Sequence, residues 1–286
     1  ASYDAIFNDD REETTDKKYF VEFRHHPQLT QQLSVLFRLY ADRYHYTADF
    51  PTNSRKGMPL NSLVLNHDDT LGRWYGTELQ ADWKIAPWSR LLIGTEAQHH
   101  KIALRNFDEG NPSVNYVNRE ERFQIHSFYL EEEIRLRNNL IASGGARLDI
   151  YKNYIREGDH QVTPRASLVY EPHPGRVIKL LYGQAFRVPN SYELFFCGPD
   201  IGYVCNPDLR SETNDSYEMA YDQLLGSHLK GSLSLFRYDI KDLIVLDDAN
   251  SSQQTFNNLD QVRGTGIETG LQGQWNSGAA SYLHYS

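Results

Sequence analysis

Two thiols, Cys197 and Cys205, are all that the 286-residue chain contains, and seven residues lie between them. They sit in "RVPNSYELFFCGPDIGYVCNPDLRSETNDSYE" (187–218), together with Tyr192, Glu193, Phe195, Phe196 and Tyr203. Residues of these types can do several things. The thiols can close a short loop by oxidation, or stay reduced in a reducing compartment. The rings can stack on a flat ligand and the phenols can hydrogen-bond it; a tyrosine can in principle ligate haem iron. A plainer alternative is that Phe195 and Phe196 pack beneath the loop as a satellite core, the usual fate of large apolar side chains.

Other polar groups invite chemistry less strongly. His25-His26 and His99-His100 are adjacent pairs. In a strand neighbouring side chains point to opposite faces, so such pairs chelate poorly and read better as rim or turn histidines. Glu78, Glu96, Glu218 and Glu268 fall inside apolar-alternating segments. They can line a ligand path, or pair with arginines such as Arg147, Arg165 and Arg263, which is the usual remedy for inward charge. Asp9, Asp10, Glu12 and Glu13 read as a solvated tip. There is no G-x-S-x-G elbow, no H-E-x-x-H and no phosphate-cradling glycine loop, so the sequence points away from an enzyme. The net charge of −9 argues against nucleic acid as a partner.

The elements that must position these residues are strands. Tyr75, Thr77, Leu79, Ala81 and Trp83 share one face, against Gly76, Glu78, Gln80 and Asp82. Leu33, Val35, Phe37, Leu39 and Ala41 repeat the pattern, as do Leu91, Ile93, Thr95 and Ala97, and Ile267, Thr269 and Leu271. With 19 Tyr, 13 Phe and 2 Met, the composition suits strands. Short breaks fall at 26–29, 85–88, 137–139, 172–175, 225–228 and 276–278. Long ones fall at 9–16, 49–71, 105–119, 153–161, 188–210 and 247–256. This alternation predicts an all-β, antiparallel transmembrane β-barrel of about 13 strands, with short periplasmic turns and long extracellular loops. Segment 30–48 exceeds the roughly 9–11 residues that cross a bilayer, so strands are expected to project beyond it. Single-chain bacterial barrels have even strand counts, so an odd count and a chain that stops at "SYLHYS" (281–286) mid-alternation predict part of a larger barrel.

"YGQAFRVPNSYELFF" (182–196) followed by "NPDLRSETNDSYEMAY" (206–221) resembles paired signatures of TonB-dependent outer-membrane receptors, carried by Phe186, Arg187, Pro189, Asn206, Pro207, Leu209 and Glu212. "SLFRYDIKDLI" (234–244) and "FNNLDQVRGTGIETG" (256–270) resemble the succeeding strands, and "RLYADRYHYTADFP" (38–51), "WYGTELQADW" (74–83) and "LLIGTEAQ" (91–98) the earlier ones. The resemblance implies that residues 1–286 are a portion of a barrel of about 22 strands, with plug domain and C-terminal strands outside it. It implies an integral protein of the outer membrane, in contact with its lipid. It further implies uptake of a small-molecule metal chelate, a ferric siderophore first and cobalamin second, powered by the TonB complex through the plug. No resident cofactor or metal is implied; iron would be cargo. A passive pore is the alternative of another class. Haem falls lower, because the interval between Phe186-Arg187-Val188-Pro189 and Asn206-Pro207-Asp208-Leu209 holds no histidine where haem receptors of this type carry one. The resemblance places 188–210 outside the cell, where Cys197 and Cys205 would form a disulfide contributing roughly 2–3 kcal/mol by constraining the unfolded loop. Tyr192, Glu193, Phe195, Phe196 and Tyr203 are then the expected ligand-binding residues, with loops 49–71 and 105–119 contributing.

Overall fold

The computed structural model describes residues 6, 8–53, 63–109, 114–155, 160–198, 202–250 and 253–286. One antiparallel meander makes up the wall. It begins with β1 (Glu13–His25), β2 (Leu33–Asn53), β3 (Leu63–Ala86), β4 (Ser89–Asp108), β5 (Val114–Arg137) and β6 (Leu140–Lys152). It continues through β7 (His160–His173) and β8 (Arg176–Arg187) to a short helix, α1 (Ser191–Phe195), and the two-residue strand β9 (Tyr203–Val204). β10 (Glu212–Leu225), β11 (Leu229–Asn250), β12 (Gln253–Gln274) and β13 (Ala280–Tyr285) complete it. Each wall strand pairs with its sequence neighbour, β8 with β10, while β9 adds in parallel to β12 outside the meander.

Among the described residues the sheet has thirteen strands, the number expected; twelve form the wall and the thirteenth is β9. The expected breaks, however, move. Strand pairing runs through most of 49–71 and 105–119, and the break at 247–256 shrinks to 251–252 between β11 and β12. The polar residues that read as loop are satisfied across the ladder instead. Asn66 donates to Asn106 Oδ1 (3.1 Å) and Asp108 Oδ1 (2.8 Å), and all three are buried. β3 and β5 each have 24 residues, or roughly 80 Å of extended chain at about 3.3 Å per residue. That is far more than a bilayer needs.

The register sorts side chains onto two faces, because residues directly opposite share a face. Leu39, Thr77 and Ala97 lie in register on one face; Arg38, Glu78, Glu96, Ser127 and Asp149 lie in register on the other. The first face is apolar and exposed: Leu79 is 52%, Ile93 47%, Phe128 52%, Leu180 45% and Ile267 48% accessible. The apolar stretch is bounded; on β3 it runs from Tyr75 to Trp83, with Arg73, Asp69 and His67 beyond it. The second face is polar, and rings approach glycines closely on it, as at Tyr238 over Gly264 and Phe236 over Gly266 in β11–β12 and twice in β2–β5. Tyr40 lies across Gly76 and Tyr129 across Gly94, each directly opposite its glycine. A Cβ on Gly94 would sit 2.3 Å from the Tyr129 ring, so only glycine admits it. At the opposite end of the wall from α1, tight turns join the strands, helped at β7–β8 by Gly175 with φ of +78°.

Candidate functional site

The loop between β8 and β10 is built from its ends inward. Pro189 is fully buried and Asn190 caps α1: its Oδ1 accepts from the Glu193 amide (2.9 Å) while Glu193 Oε2 accepts from the Asn190 amide (2.7 Å). This is a capping box, which satisfies orphan donors in both directions. Arg187 clamps the base. Its Nε and Nη2 reach both oxygens of Glu212 at 2.7 Å, and its Nη1 donates to Glu193 at 2.9 Å. The Glu193 carboxylate is therefore occupied within the loop.

The far end is locked to β12. Asn206 donates to the Phe256 carbonyl (2.9 Å) and Asn257 Oδ1 (3.1 Å), and accepts from the Asp208 amide (3.1 Å). Leu209 is 1% exposed and packs with Leu194, Ile244 and Phe195. Cys197 and Cys205 are joined by a disulfide, and Gly198 bridges to Tyr203 inside the ring they close. The residues of the family-like signature thus hold the loop's fold.

The loop turns in over the polar face. Phe196 is buried against Leu104 and Val117, from the ends of β4 and β5, and Phe195 touches both buried clusters. These two rings behave as satellite core. Tyr192 is 41% exposed and stacks on Phe196 (centroids 4.5 Å), with Tyr203 and Phe256 edge-on at 6.3 and 6.0 Å. The four rings form a ledge of which Tyr192 is the accessible part. Burial, the hydroxyl of Tyr203 and the Asp68 charge all push the Tyr192 phenol above its ordinary range. It stays a neutral hydrogen-bond donor, not a phenolate.

Asp68 and Tyr46 complete the ledge from β2 and β3, and sequence reasoning did not single them out. Asp68 Oδ1 is buried with no hydrogen-bond partner, and its carboxyl is pushed up to about 6 by burial and then by Asp69. The adjacent acids Asp68-Asp69 carried a usable signal: in a strand one of the two must face inward.

Further down the polar face, Glu96 is 7% exposed and meets Arg38 (3.1 Å), Arg147 (3.1 Å) and the Tyr40 hydroxyl (2.7 Å). Glu78 accepts from Tyr129 (2.7 Å) and lies 3.0 Å from Arg38 Nε, an ion pair without hydrogen-bond alignment. Arg147 also binds Asp149 and Ser127. Arg165 pairs with Glu131 on this face, whereas Arg263, expected inside, lies on the outward face and pairs there with Asp239. Glu218 accepts from Ser234 (2.9 Å), and Glu268 stands opposite Ser234 in register. The four acids share one face, and Glu78 and Glu96 are neutralised by their neighbours. His99 and His100 point to opposite faces, His99 stacking on Tyr75 and His100 on Trp74 and Phe123. Of the two auxiliary loops, residues 54–62 and 110–113 lie outside the described residues.

A family of proteins described as "TonB dependent receptor-like, beta-barrel" matches residues 1–286. The chain belongs to that family. It supplies wall strands of an outer-membrane β-barrel, so the apolar face meets lipid, the polar face lines the lumen, and the ledge stands at the extracellular mouth. Among characterised relatives, an iron-regulated outer membrane virulence protein of Vibrio cholerae is 29% identical over 161 residues, 54% of this chain and 23% of that protein. The vitamin B12 transporter BtuB of Vibrio cholerae is 29% identical over 164 residues, 57% and 22% respectively. The solved copper transporter OprC superposes with a TM-score of 0.73 at 16% identity, covering 93% of this chain and 45% of OprC. The matched region thus spans less than a quarter of the two Vibrio proteins.

Proposed function

We propose that this chain forms part of the barrel of a receptor that takes up a metal chelate, a ferric siderophore first, with energy supplied through TonB. The observation that supports this is the ledge. Tyr192 offers a ring face and a neutral hydroxyl at the mouth, beside Asp68, on a loop stiffened by a disulfide, a capping box and the Arg187 clamp. A rigid aromatic surface with few polar groups suits a large, flat, oxygen-rich ligand, because little ordering entropy is lost on binding. The neutral phenol favours outer contact with an intact chelate over direct ligation of its iron. Cobalamin is the second reading, in keeping with the B12 transporter among the relatives. A passive pore gains no support from a loop that folds inward over the lumen-facing wall.

The test is titration of the full-length receptor in detergent, read by tryptophan fluorescence; Trp74 faces the lumen below the ledge. Ferric catecholate and hydroxamate siderophores, their iron-free forms, cobalamin and haem make the panel. Saturable sub-micromolar quenching by one ferric chelate alone is the expected result. A response to cobalamin only would move the ligand class, and no response to any member would refute the proposal.

A further inference from the structure

We infer that the lipid-facing side of β2–β5 carries a binding site for the phosphate groups of an acylated lipid in the outer leaflet, built from Arg43, Arg73, Lys101 and Arg122. The register places these four residues in one unbroken row: Arg43 opposite Arg73, Arg73 opposite Lys101, Lys101 opposite Arg122. Directly opposite residues have Cα atoms about 4.5–5.5 Å apart and share a face. Like charges so placed destabilise a sheet. Three such pairs in succession call for an anion.

The protein supplies little of it. Glu120 reaches Lys101 (2.9 Å) and Arg122 (2.8 Å). Among the described residues, Arg43 and Arg73 have no carboxylate partner, and both are exposed. Other clustered cations of this wall are paired. In the lumen, Arg38 and Arg147 share Glu96. On the outward face of β10–β12, at the same border of the apolar band, Lys241 has Asp215 and both Arg237 and Arg263 have Asp239. The row on β2–β5 departs from both of these clusters.

Its place says what the anion is attached to. One step toward the turn end, the same face carries Ala41, Tyr75 and His99 in register, then Leu39, Thr77 and Ala97, the start of the apolar band. The cations stand at the edge of the hydrocarbon, above an aromatic residue of the kind found in barrel girdles. An anion held there with its acyl chains against Leu39, Leu79 and Ile93 satisfies both surfaces at once. Guanidinium forks match phosphate oxygens in geometry, and two adjacent arginines offer two of them.

The experiment uses the full-length receptor, delipidated in nonionic detergent, with bound lipid counted by native mass spectrometry. The probes are diphosphoryl lipid A, the same lipid with its phosphates removed, and inorganic phosphate. Wild type is expected to retain diphosphoryl lipid A at least tenfold more tightly than the dephosphorylated form. The Arg43→Gln/Arg73→Gln/Lys101→Gln variant should lose that tenfold, Arg43→Lys/Arg73→Lys should keep most of it, and Arg237→Gln/Arg263→Gln should not change it. In lipid-free detergent the triple variant should melt no lower than wild type, since it sheds repulsion; this shows that it is folded. Equal retention by wild type and the folded triple variant, or equal retention of the dephosphorylated lipid, overturns the inference. Displacement of lipid A by equimolar inorganic phosphate also overturns it, by assigning the row to the free ion.

Discussion

Asp68 is where the mouth of the barrel should respond to pH. It stands opposite Ala48, which is 1% exposed, and its Oδ1 is buried without a partner. It lies beyond the apolar band, on the extracellular extension of β3. Burial, reinforced by Asp69, raises its carboxyl from 3.8 to about 6. A raised acid stabilises the folded state only while protonated. Below about pH 4 the group holds its proton folded or unfolded, and Asp68→Asn should behave as wild type. Between pH 4 and 6 the folded mouth keeps a proton that the opened one has released, so wild-type stability falls as pH rises. Above pH 6 the loss is complete: about two units at 1.36 kcal/mol each, or about 3 kcal/mol. Asp68→Asn removes that loss. Hydrogen exchange of peptides covering 63–71 and 188–198 in the full-length receptor reads it, as the ratio of protection factors between variant and wild type. The ratio should be near one at pH 4 and rise to about a hundredfold by pH 7 and above. A ratio independent of pH, or weaker protection of the variant at pH 7, would refute the reasoning.

The loop and the wall give further expectations. Arg187→Ala leaves Glu193 and Glu212 without their shared cation; because Arg187 is partly exposed the cost should be about 2 kcal/mol, seen as faster proteolysis within 188–211. Gly94→Ala drives a Cβ into Tyr129 and should cost about 1–3 kcal/mol in denaturant unfolding, less than additively when combined with Tyr129→Ala. Cys197→Ser/Cys205→Ser should loosen the ring by roughly 2–3 kcal/mol, visible as raised exchange confined to 196–206 with the wall unchanged. Tyr192→Phe should weaken chelate binding severalfold while leaving loop exchange unchanged; Phe195→Ala should raise loop exchange as well, because that ring joins both buried clusters.

What was legible in the sequence was whatever depends on period two. Tyr75, Thr77, Leu79, Ala81 and Trp83 announced a lipid-facing stripe, and the structure puts them there. The turns at Pro174-Gly175 and 226–228 were legible from their residues. The upper ends of β2, β3 and β11 were not. Above the bilayer both faces of a strand are polar, so alternation disappears while the ladder continues, as Asn66, Asn106 and Asp108 show. β9 was invisible for another reason: two residues pairing in parallel with Gln254 and Thr255 leave no pattern. At the site, the aromatic loop and its disulfide could be anticipated. Asp68 and Tyr46 come from strands more than a hundred residues away, and only the folded loop brings Tyr192 to them.

The division of labour within that loop bears on how such a receptor can be selective. Glu193, Phe195, Asn206 and Leu209 are spent on caps, packing and the lock to β12. Below them the Arg38–Glu96–Arg147 cluster fixes neighbouring strands against one another. Neither set is free to adapt to a ligand without unpairing a buried group, which costs more than most contacts return. On the function proposed above, adaptation at the ledge falls to the Tyr192 ring, the Tyr203 hydroxyl and the Asp68 carboxylate. Specificity resting on so few groups, set on a wall that cannot yield, can change by substituting two or three of them while the barrel stays as it is.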